Sequence, residues 1–422
     1  MHMLRSKGVL TLVVALTLSA CSSTATPVPA TVAPATVAPA TVAPATVAPA
    51  TVAPATVAPA TVAPPTVAPP TVAPATPVAS TGAALKIGVV TDVGRVDDKN
   101  FNQFSFEGAK KGAADIGAAV PQVVVPANAD EYASDIQQFV GQNYDVIVTV
   151  GFNLYAATVK AAKANPNIWF IGVDQSICID ATGADDPKFG CAGDPKTLLP
   201  RYIGISFEED QAGYLAGIVA ASISKTHIIG AIGGINLVPA VVRYIQGYQL
   251  GAMATDPSTV VKTGYVSASD FVAAFADPAG GQTYATAFIA ANKPDVLFQV
   301  AGSTGNGILQ AACAAKISGI GVDVDQWGSL SAATDPTYNC IVTSAEKHLS
   351  NAVEASINAI NGGTAVGGNI EFNATNDGIG VSAEQDGKGT ITSDIQAKVD
   401  AAIAAMKATP PLATCPDKCG QP

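Results

Sequence analysis

Residues 145–151 have the sequence Asp-Val-Ile-Val-Thr-Val-Gly, a nearly continuous apolar run that ends in a glycine. Such a run, rich in β-branched residues, is typical of a strand that is buried on both faces of a parallel sheet. Similar Val- and Ile-rich runs alternate with Ala-rich helical stretches along most of the chain, which is the pattern of βαβ units. The sequence therefore predicts an α/β fold built from doubly wound parallel sheets.

The alternation extends on both sides of this run. Strands are predicted at 86–93, 122–126, 145–151, 168–174, 227–233, 260–266, 295–301 and 319–323. Helices are predicted at 102–116, 211–223, 241–254 and 307–315. A chain of this length exceeds one growing hydrophobic core, so we expect two lobes, with a ligand cleft at the carboxyl ends of the strands.

The predicted organisation divides the 422 residues into five parts. They are a leader at 1–20, a tether at 21–83, a first lobe at 84–206 with a return segment near 327–360, a second lobe at 207–326 with part of 361–408, and a tail at 409–422.

The N-terminus predicts export. Arg5 and Lys7 precede an apolar run that is too short to span a bilayer, and Leu18-Ser19-Ala20-Cys21 follows it. This order resembles a bacterial lipoprotein signal, in which Cys21 is acylated after cleavage. A plain secretory signal is the alternative. We expect an extracytoplasmic protein that reaches the membrane only through its lipid.

The tether contains no charged side chain between Ser22 and Leu85, and residues 31–75 are nine Thr-Val-Ala-Pro-Ala or Thr-Val-Ala-Pro-Pro pentads. Proline in every pentad favours an extended, polyproline-like chain that reaches about 140 Å. A stalk through a wall layer and a neutral linker both fit this pattern.

The composition excludes several classes of partner. The formal charge is −11, and it becomes −13 without Arg5 and Lys7. An acidic chain without clustered Lys and Arg does not favour nucleic acid or anionic lipid, so no nucleic-acid partner is expected.

Six cysteines remain after Cys21, and an even count in an exported chain indicates disulfides. Sequence proximity predicts Cys178–Cys191, Cys313–Cys340 and Cys415–Cys419, although fifteen connectivities are formally possible. Zinc is the rival interpretation, but neither histidine beyond the leader stands beside a cysteine pair.

Polar and aromatic residues crowd the end of the first predicted strand. Asp92 lies at the end of the strand, and Asp98, Phe101 and Asn102 follow where the chain enters the helix. Taken singly, Asp98 fits a helix cap and Phe101 fits the core.

Together with later segments, this stretch resembles the basic membrane protein family of substrate-binding lipoproteins, whose studied members include purine nucleoside receptors that feed ABC transporters. The motifs that carry the resemblance occur in order at 98–103, 150–152, 172–175, 207–213, 233–234, 243–248, 302–307, 321–326 and 343–347.

The resemblance implies a type I periplasmic-binding-protein fold, a monomer, an ABC permease as partner and a nucleoside held between two lobes. It implies that Phe101 and Tyr244 sandwich a base, and that Asp92 and Asn102, with Asp98 as a weaker candidate, bind its polar edge. Asp323 and Lys347 would hold ribose hydroxyls. Gly302 and Gly305 would let the backbone approach the ligand, and Phe152 would belong to the same cleft.

The chain departs from the family pattern in three places. Tyr244 stands where phenylalanine is common, and its hydroxyl needs a partner. Residues 153–156 offer no carboxylate where some receptors supply one for ribose. The cysteine-bearing segment 176–201 has the character of an insertion near the cleft rim.

Other functions have weaker support. Residues 302–307 lack the lysine of a phosphate-binding loop, and the two histidines without a Gly-x-Ser-x-Gly elbow do not favour an enzyme. Asp323 and Asp325 leave a nucleoside hydrolase as a remote alternative. A receptor for a cationic amino acid or polyamine, or a sensor for a signalling partner, remains open. No cofactor is expected.

Overall fold

The computed structural model describes residues 84–384, 388–416 and 419–421. The predicted leader, Cys21 and the tether lie outside these residues. The described chain alternates strands and helices, as the apolar runs predict, and forms two six-stranded sheets.

The strands are β1 (Ile87–Thr91), β2 (Gln122–Val124), β3 (Val146–Val150), β4 (Trp169–Val173), β5 (Tyr202–Phe207), β6 (Ile228–Gly233), β7 (Val260–Tyr265), β8 (Val296–Val300), β9 (Ser318–Asp323), β10 (Ile341–Lys347), β11 (Gly368–Phe372) and β12 (Ile379–Val381). The first sheet has the order β11-β5-β4-β3-β1-β2 and is parallel throughout. The second has the order β12-β10-β9-β8-β6-β7, in which only the edge strand β12 runs antiparallel to its neighbour. The predicted α/β class with doubly wound parallel sheets is confirmed.

The helices are α1 (Phe101–Asp115), α2 (Tyr132–Gly141), α3 (Tyr155–Ala164), α4 (Pro195–Leu198), α5 (Glu209–Ile223), α6 (Pro239–Thr255), α7 (Phe271–Phe275), α8 (Pro278–Asn292), α9 (Gly302–Ala314), α10 (Gln326–Ser329), α11 (Leu349–Asn361) and α12 (Ser393–Met406). Among these described helices, none has both the length and the hydrophobicity that a bilayer span requires.

The second lobe extends further along the chain than the predicted boundary at 326. β10 pairs with β9 in the second sheet, with Ala345 opposite Val322, and only then does α11 pack on α1 of the first lobe. The return to the first lobe therefore begins after Lys347 rather than near 327. A third crossing lies between β11 and β12, so the lobes are joined near 207–209, 347–349 and 372–379.

Three disulfides join Cys178 to Cys191, Cys313 to Cys340 and Cys415 to Cys419, which are the pairs that sequence proximity predicts. The C-terminal tail packs against α5 and α6. Thr414 contacts the carboxylate of Asp210 on α5, and Gln246 on α6 binds the backbone of Gly420 and Gln421.

Helices α5 and α6 pack so closely that their backbones touch. A Cβ atom at Gly213 would lie 2.1 Å from the Tyr244 carbonyl oxygen, and one at Gly217 would lie 2.2 Å from that of Tyr248. Glycines 247 and 251 on α6 meet the backbone of α5 in the same way. This contact fixes the position of Tyr244 relative to the crossing at 207–209.

We expect Gly217→Ala to lower the free energy of unfolding by about 2 kcal/mol, because the added methyl group has no room beside the backbone of α6. Urea denaturation followed by circular dichroism measures the change. Gly141→Ala is the matched control, since nothing lies within 4 Å of a Cβ at that helical position. Equal stability of the two variants would contradict the proposed close contact.

Candidate functional site

The two sheets direct the carboxyl ends of their strands towards a cleft that contains a partly open cavity. Both lobes contribute to its wall. Its lining residues are Asp92, Val93, Asp98, Phe101, Asn102, Gly151, Phe152, Asn153, Asp174, Val238, Ala240, Val241, Tyr244, Phe271, Phe275, Val300, Ala301, Gly302, Asp323 and Lys347.

Nine of the ten ligand-binding residues expected from the sequence line this cavity, and Gly305 does not. Gly305 lies in the first turn of α9, where a Cβ atom would meet Gln299 Oε1 at 1.6 Å. Its lack of a side chain serves the packing of α9 on Gln299 rather than the approach of a ligand.

Lys347 is the charged centre of the site. It ends β10, and its side chain is only 3% exposed. Nζ lies 2.5 Å from Asp174 Oδ2, 3.5 Å from Asp323 Oδ1 and 3.7 Å from Glu209 Oε1. Burial lowers the pKa of Lys347, but the three carboxylates outweigh burial and raise this pKa above its ordinary value. The ammonium therefore stays charged in the closed cleft.

For two of the carboxylates around Lys347, burial is the largest influence on the pKa. Burial raises the pKa of Asp323 to about 6 and that of Glu209 to about 7, although Lys347 opposes both shifts. Arg243 adds a second cation, with Nη1 3.2 Å from Glu209 Oε2. Two cations and three carboxylates thus form one buried network.

Aromatic rings surround the same ammonium. Lys347 Nζ lies 4.8 Å from the ring centroid of Phe101, 5.4 Å from that of Phe207 and 5.9 Å from that of Tyr244. These distances are within the range of cation–π attraction. The Tyr244 hydroxyl donates to Asp323 Oδ1 at 3.3 Å, so it has the partner that a buried tyrosine requires.

Asp98 serves α1. Its carboxylate accepts the backbone N–H groups of Asn100, Asn102 and Gln103 at 2.9–3.0 Å. Burial raises the pKa of Asp98 while these bonds oppose the shift. The carboxylate lines the cavity, but its oxygens cap the helix, as the alternative interpretation of the sequence held.

Asp92 and Asn102 lie beside this cap. Asp92 Oδ1 accepts the N–H of Val93 at 2.6 Å, and burial raises the pKa of Asp92 to about 7. Gly151, with φ of 113°, leaves room for this carboxylate, because a Cβ atom there would lie 2.0 Å from Asp92 Oδ2. Asn102 Nδ2 donates to the Val93 carbonyl oxygen at 2.9 Å.

Two buried oxygen atoms of cavity residues have no hydrogen-bond partner within the described chain. They are Asn102 Oδ1 and Asp174 Oδ1. A buried acceptor without a partner is costly, so each favours a ligand that presents an N–H or O–H group.

Asp174, Phe271 and Phe275 line the cavity but were not predicted as site residues. Asp174 follows β4 as Asp92 follows β1, and its φ of 57° is the left-handed conformation that Asp323 also adopts. Its place at a strand end was therefore a usable signal. Phe271 and Phe275 lie on α7, a short helix in a stretch with no predicted element, and their four-residue spacing was the available indication.

The described histidines do not form a catalytic relay. Asp256 Oδ2 and Ser258 Oγ approach the same atom of His227, Nδ1, at 2.6 and 3.3 Å, and the ring is exposed. His348 lies at the second crossing, where Nδ1 contacts the Asp377 carbonyl oxygen. Asp210, Cys415 and Cys419 lie close together, but the two cysteines form a disulfide and so offer no thiolate to a metal ion.

Several curated proteins are similar in sequence to this chain. The CD4+ T-cell-stimulating antigen of Listeria monocytogenes is 31% identical over 74% of this chain and 84% of its own length. The ABC transporter nucleoside-binding protein BmpA of Lactococcus lactis is 29% identical over 70% of this chain and 80% of its own. Basic membrane protein A of Borreliella burgdorferi is 28% identical over 57% of this chain and 64% of its own.

Solved structures share the fold. A solute-binding protein of an ABC transporter system from Conexibacter woesei has a TM-score of 0.58 and 23% identity, and it aligns over 78% of this chain and 98% of its own. One from Aeropyrum pernix has a TM-score of 0.58 and 22% identity over 78% and 83%.

The family model of PnrA-like ABC transporter substrate-binding proteins matches residues 85–404, which include both sheets and every residue of the cavity. That family consists of binding proteins rather than enzymes. The chain belongs to the Bmp family, the PnrA-like substrate-binding proteins of ABC transporters.

Proposed function

We propose that the protein captures a purine nucleoside between its two lobes and delivers it to the permease of an ABC importer. The observation that carries the proposal is the combination of aromatic rings from both lobes with unpaired oxygen acceptors in one cavity. A nucleoside offers a flat base for the rings and N–H and O–H groups for the acceptors.

The base would lie between Phe101 of the first lobe and an aromatic ring of the second. Tyr244 is the partner that the family motif favours, and Phe271 and Phe275 of α7 line the same cavity. Base–aromatic stacking is worth about 1–3 kcal/mol per base. Asn102 Oδ1 and the Asp92 carboxyl would bind the polar edge.

The sugar would lie near Lys347. Asp323 and Lys347 would bind ribose hydroxyls, and Asp174 would add the carboxylate that residues 153–156 do not supply. Asp174 Oδ1 is free to accept, while Oδ2 stays on Lys347. Charged acceptors form strong hydrogen bonds with neighbouring hydroxyls.

Membership of an ABC transporter family supports delivery to a permease. The Lactococcus lactis relative is called a nucleoside-binding protein, which supports a nucleoside as the ligand. We further propose a monomer, outside the cytoplasm, that a lipid on Cys21 holds at the membrane. A sensor that passes its closed state to a signalling partner would use the same cavity.

A cationic amino acid or polyamine is less favoured. Lys347 already places an ammonium over the aromatic rings and against three carboxylates. The Lys347 ammonium would repel a second cation in the cavity, whereas it would not repel a neutral ligand that is rich in hydrogen-bond donors.

Calorimetry with adenosine, guanosine and inosine tests the proposal. We expect a Kd in the micromolar range or below for at least one of them, and Phe101→Ala should weaken binding by about 1 kcal/mol or more because the stack is lost. Phe189→Ala is the control, since Phe189 lies outside the cavity and is 72% exposed. Equal affinity of the two variants would remove Phe101 from the stack, and no binding by the wild type would reject a purine nucleoside.

The sugar site makes a separate prediction. Asp323→Asn should weaken binding of the ribonucleoside about tenfold, because a charge-assisted bond to a hydroxyl is lost. The matching 2′-deoxynucleoside should lose less, so the ratio between the two sugars should fall. Asp97→Asn is the control, because Asp97 is an exposed carboxylate that pairs with Arg95 and does not line the cavity. An unchanged ratio would place Asp323 away from the 2′-hydroxyl.

The anchor is testable without a ligand. Cells that express the protein should incorporate labelled palmitate into the wild type and not into Cys21→Ala, because the thiol of Cys21 is the expected attachment point. Equal labelling would exclude this anchor, and Cys21→Ala should still bind the same nucleoside in calorimetry.

A further inference from the structure

A chain of buried amides runs from the core of the second lobe to the first lobe. Gln299 Nε2 donates to Gln326 Oε1 at 2.5 Å, and Gln326 Nε2 donates to Asn306 Oδ1 at 3.0 Å. Asn306 Nδ2 then donates to the Asp98 carbonyl oxygen at 3.0 Å. Both glutamines are fully buried and Asn306 is 8% exposed, so this last bond crosses the cleft away from bulk water.

The direction of the chain is fixed by its other contacts. Gln299 Oε1 accepts the N–H of Ala301 at 2.9 Å, and Gln326 Oε1 accepts the N–H of Val322 at 3.0 Å. Since each amide oxygen already receives a donor from the second lobe, each NH₂ group faces onward. The NH₂ group of Asn306 is therefore committed to the first lobe.

The receiving segment is residues 98–100, which lead directly into α1. The Asp98 carboxylate caps α1, while the Asp98 carbonyl oxygen accepts from Asn306. Lys99, with φ of 63°, turns the backbone so that its own carbonyl oxygen accepts from Ser329 Oγ at 2.7 Å. Asn100 Nδ2 completes the contact with the Gly302 carbonyl oxygen at 3.4 Å.

We propose that Asn306 is a positioning residue for ligand capture. Its bond to Asp98 fixes the start of α1, and with it Phe101 and Asn102, against the second lobe when the cleft is closed. Asn306 itself is not among the lining residues, so it acts on the ligand only through this segment. The effect on a nucleoside rests on the proposed function, whereas the effect on closure does not.

Asn306→Asp is the sharpest variant, because it keeps the shape and the bond from Gln326 but replaces the donor with an oxygen that faces the Asp98 carbonyl. We expect adenosine, guanosine or inosine to dissociate about tenfold faster, as measured by stopped flow, with a smaller change in association rate. Asn292→Asp is the matched control. Asn292 Nδ2 also donates to a carbonyl oxygen, that of Phe288 at 3.0 Å, but within α8.

Hydrogen–deuterium exchange of the ligand-free protein separates this proposal from the nucleoside assignment. The amides of residues 100–104 should exchange faster in Asn306→Asp than in Asn292→Asp or the wild type. If a nucleoside binds, equal dissociation rates in the two variants would overturn the role of Asn306. If no nucleoside binds to the wild type, the proposed function fails. Equal exchange of residues 100–104 in Asn306→Asp and Asn292→Asp would then overturn the positioning role of Asn306. Asn306→Ala, which removes the donor without adding charge, serves both measurements if the aspartate variant does not fold.

Discussion

The site depends on one buried ammonium group. A lone charge in a protein interior costs several kcal/mol, and Lys347 is tolerated because three carboxylates surround it. Asp323 and Glu209 belong to the second lobe, but Asp174 follows a strand of the first. The contact that neutralises the charge is therefore also a contact between lobes. Opening the cleft would separate Lys347 from Asp174, and water would then have to solvate both groups.

The same residues belong to the crossings between the lobes. Glu209 begins the helix after the first crossing, and Lys347 ends the strand before the second. A hinge motion changes backbone torsions at such points, so it moves the charged groups of the site directly. The close packing of α5 on α6 carries Tyr244 along with Glu209, because their backbones leave no room to slide. If the lobes close by such a hinge, closure would also assemble the site.

The repetitive parts of this architecture were predictable, and the long-range parts were not. Val- and Ile-rich runs predicted eight of the twelve described strands, and most of these, such as β3 and β8, are buried along all or nearly all of their length, which leaves a strong local pattern. The strand β11, by contrast, pairs with β5 of the first sheet, and this pairing depends on a partner distant in sequence. Nine of the ten ligand-binding residues that the family resemblance implies line the cavity, whereas Gly305 packs against Gln299. Asp174 was missed because it becomes a site residue only when the two lobes meet over Lys347.

The balance of donors and acceptors in the cavity narrows the ligand further. Four aspartates line it against the single ammonium of Lys347, and Asn102 Oδ1 adds a neutral acceptor without a partner. A phosphate group would bring negative charge into contact with Asp92, Asp174 and Asp323 and would find one cation that is already committed to carboxylates. Like charges at such short range in a partly dry cleft cost several kcal/mol. Hydroxyl and N–H groups meet no such penalty, because each can donate to an oxygen that lacks a partner. Under the proposed function, these oxygen atoms favour a nucleoside over a nucleotide.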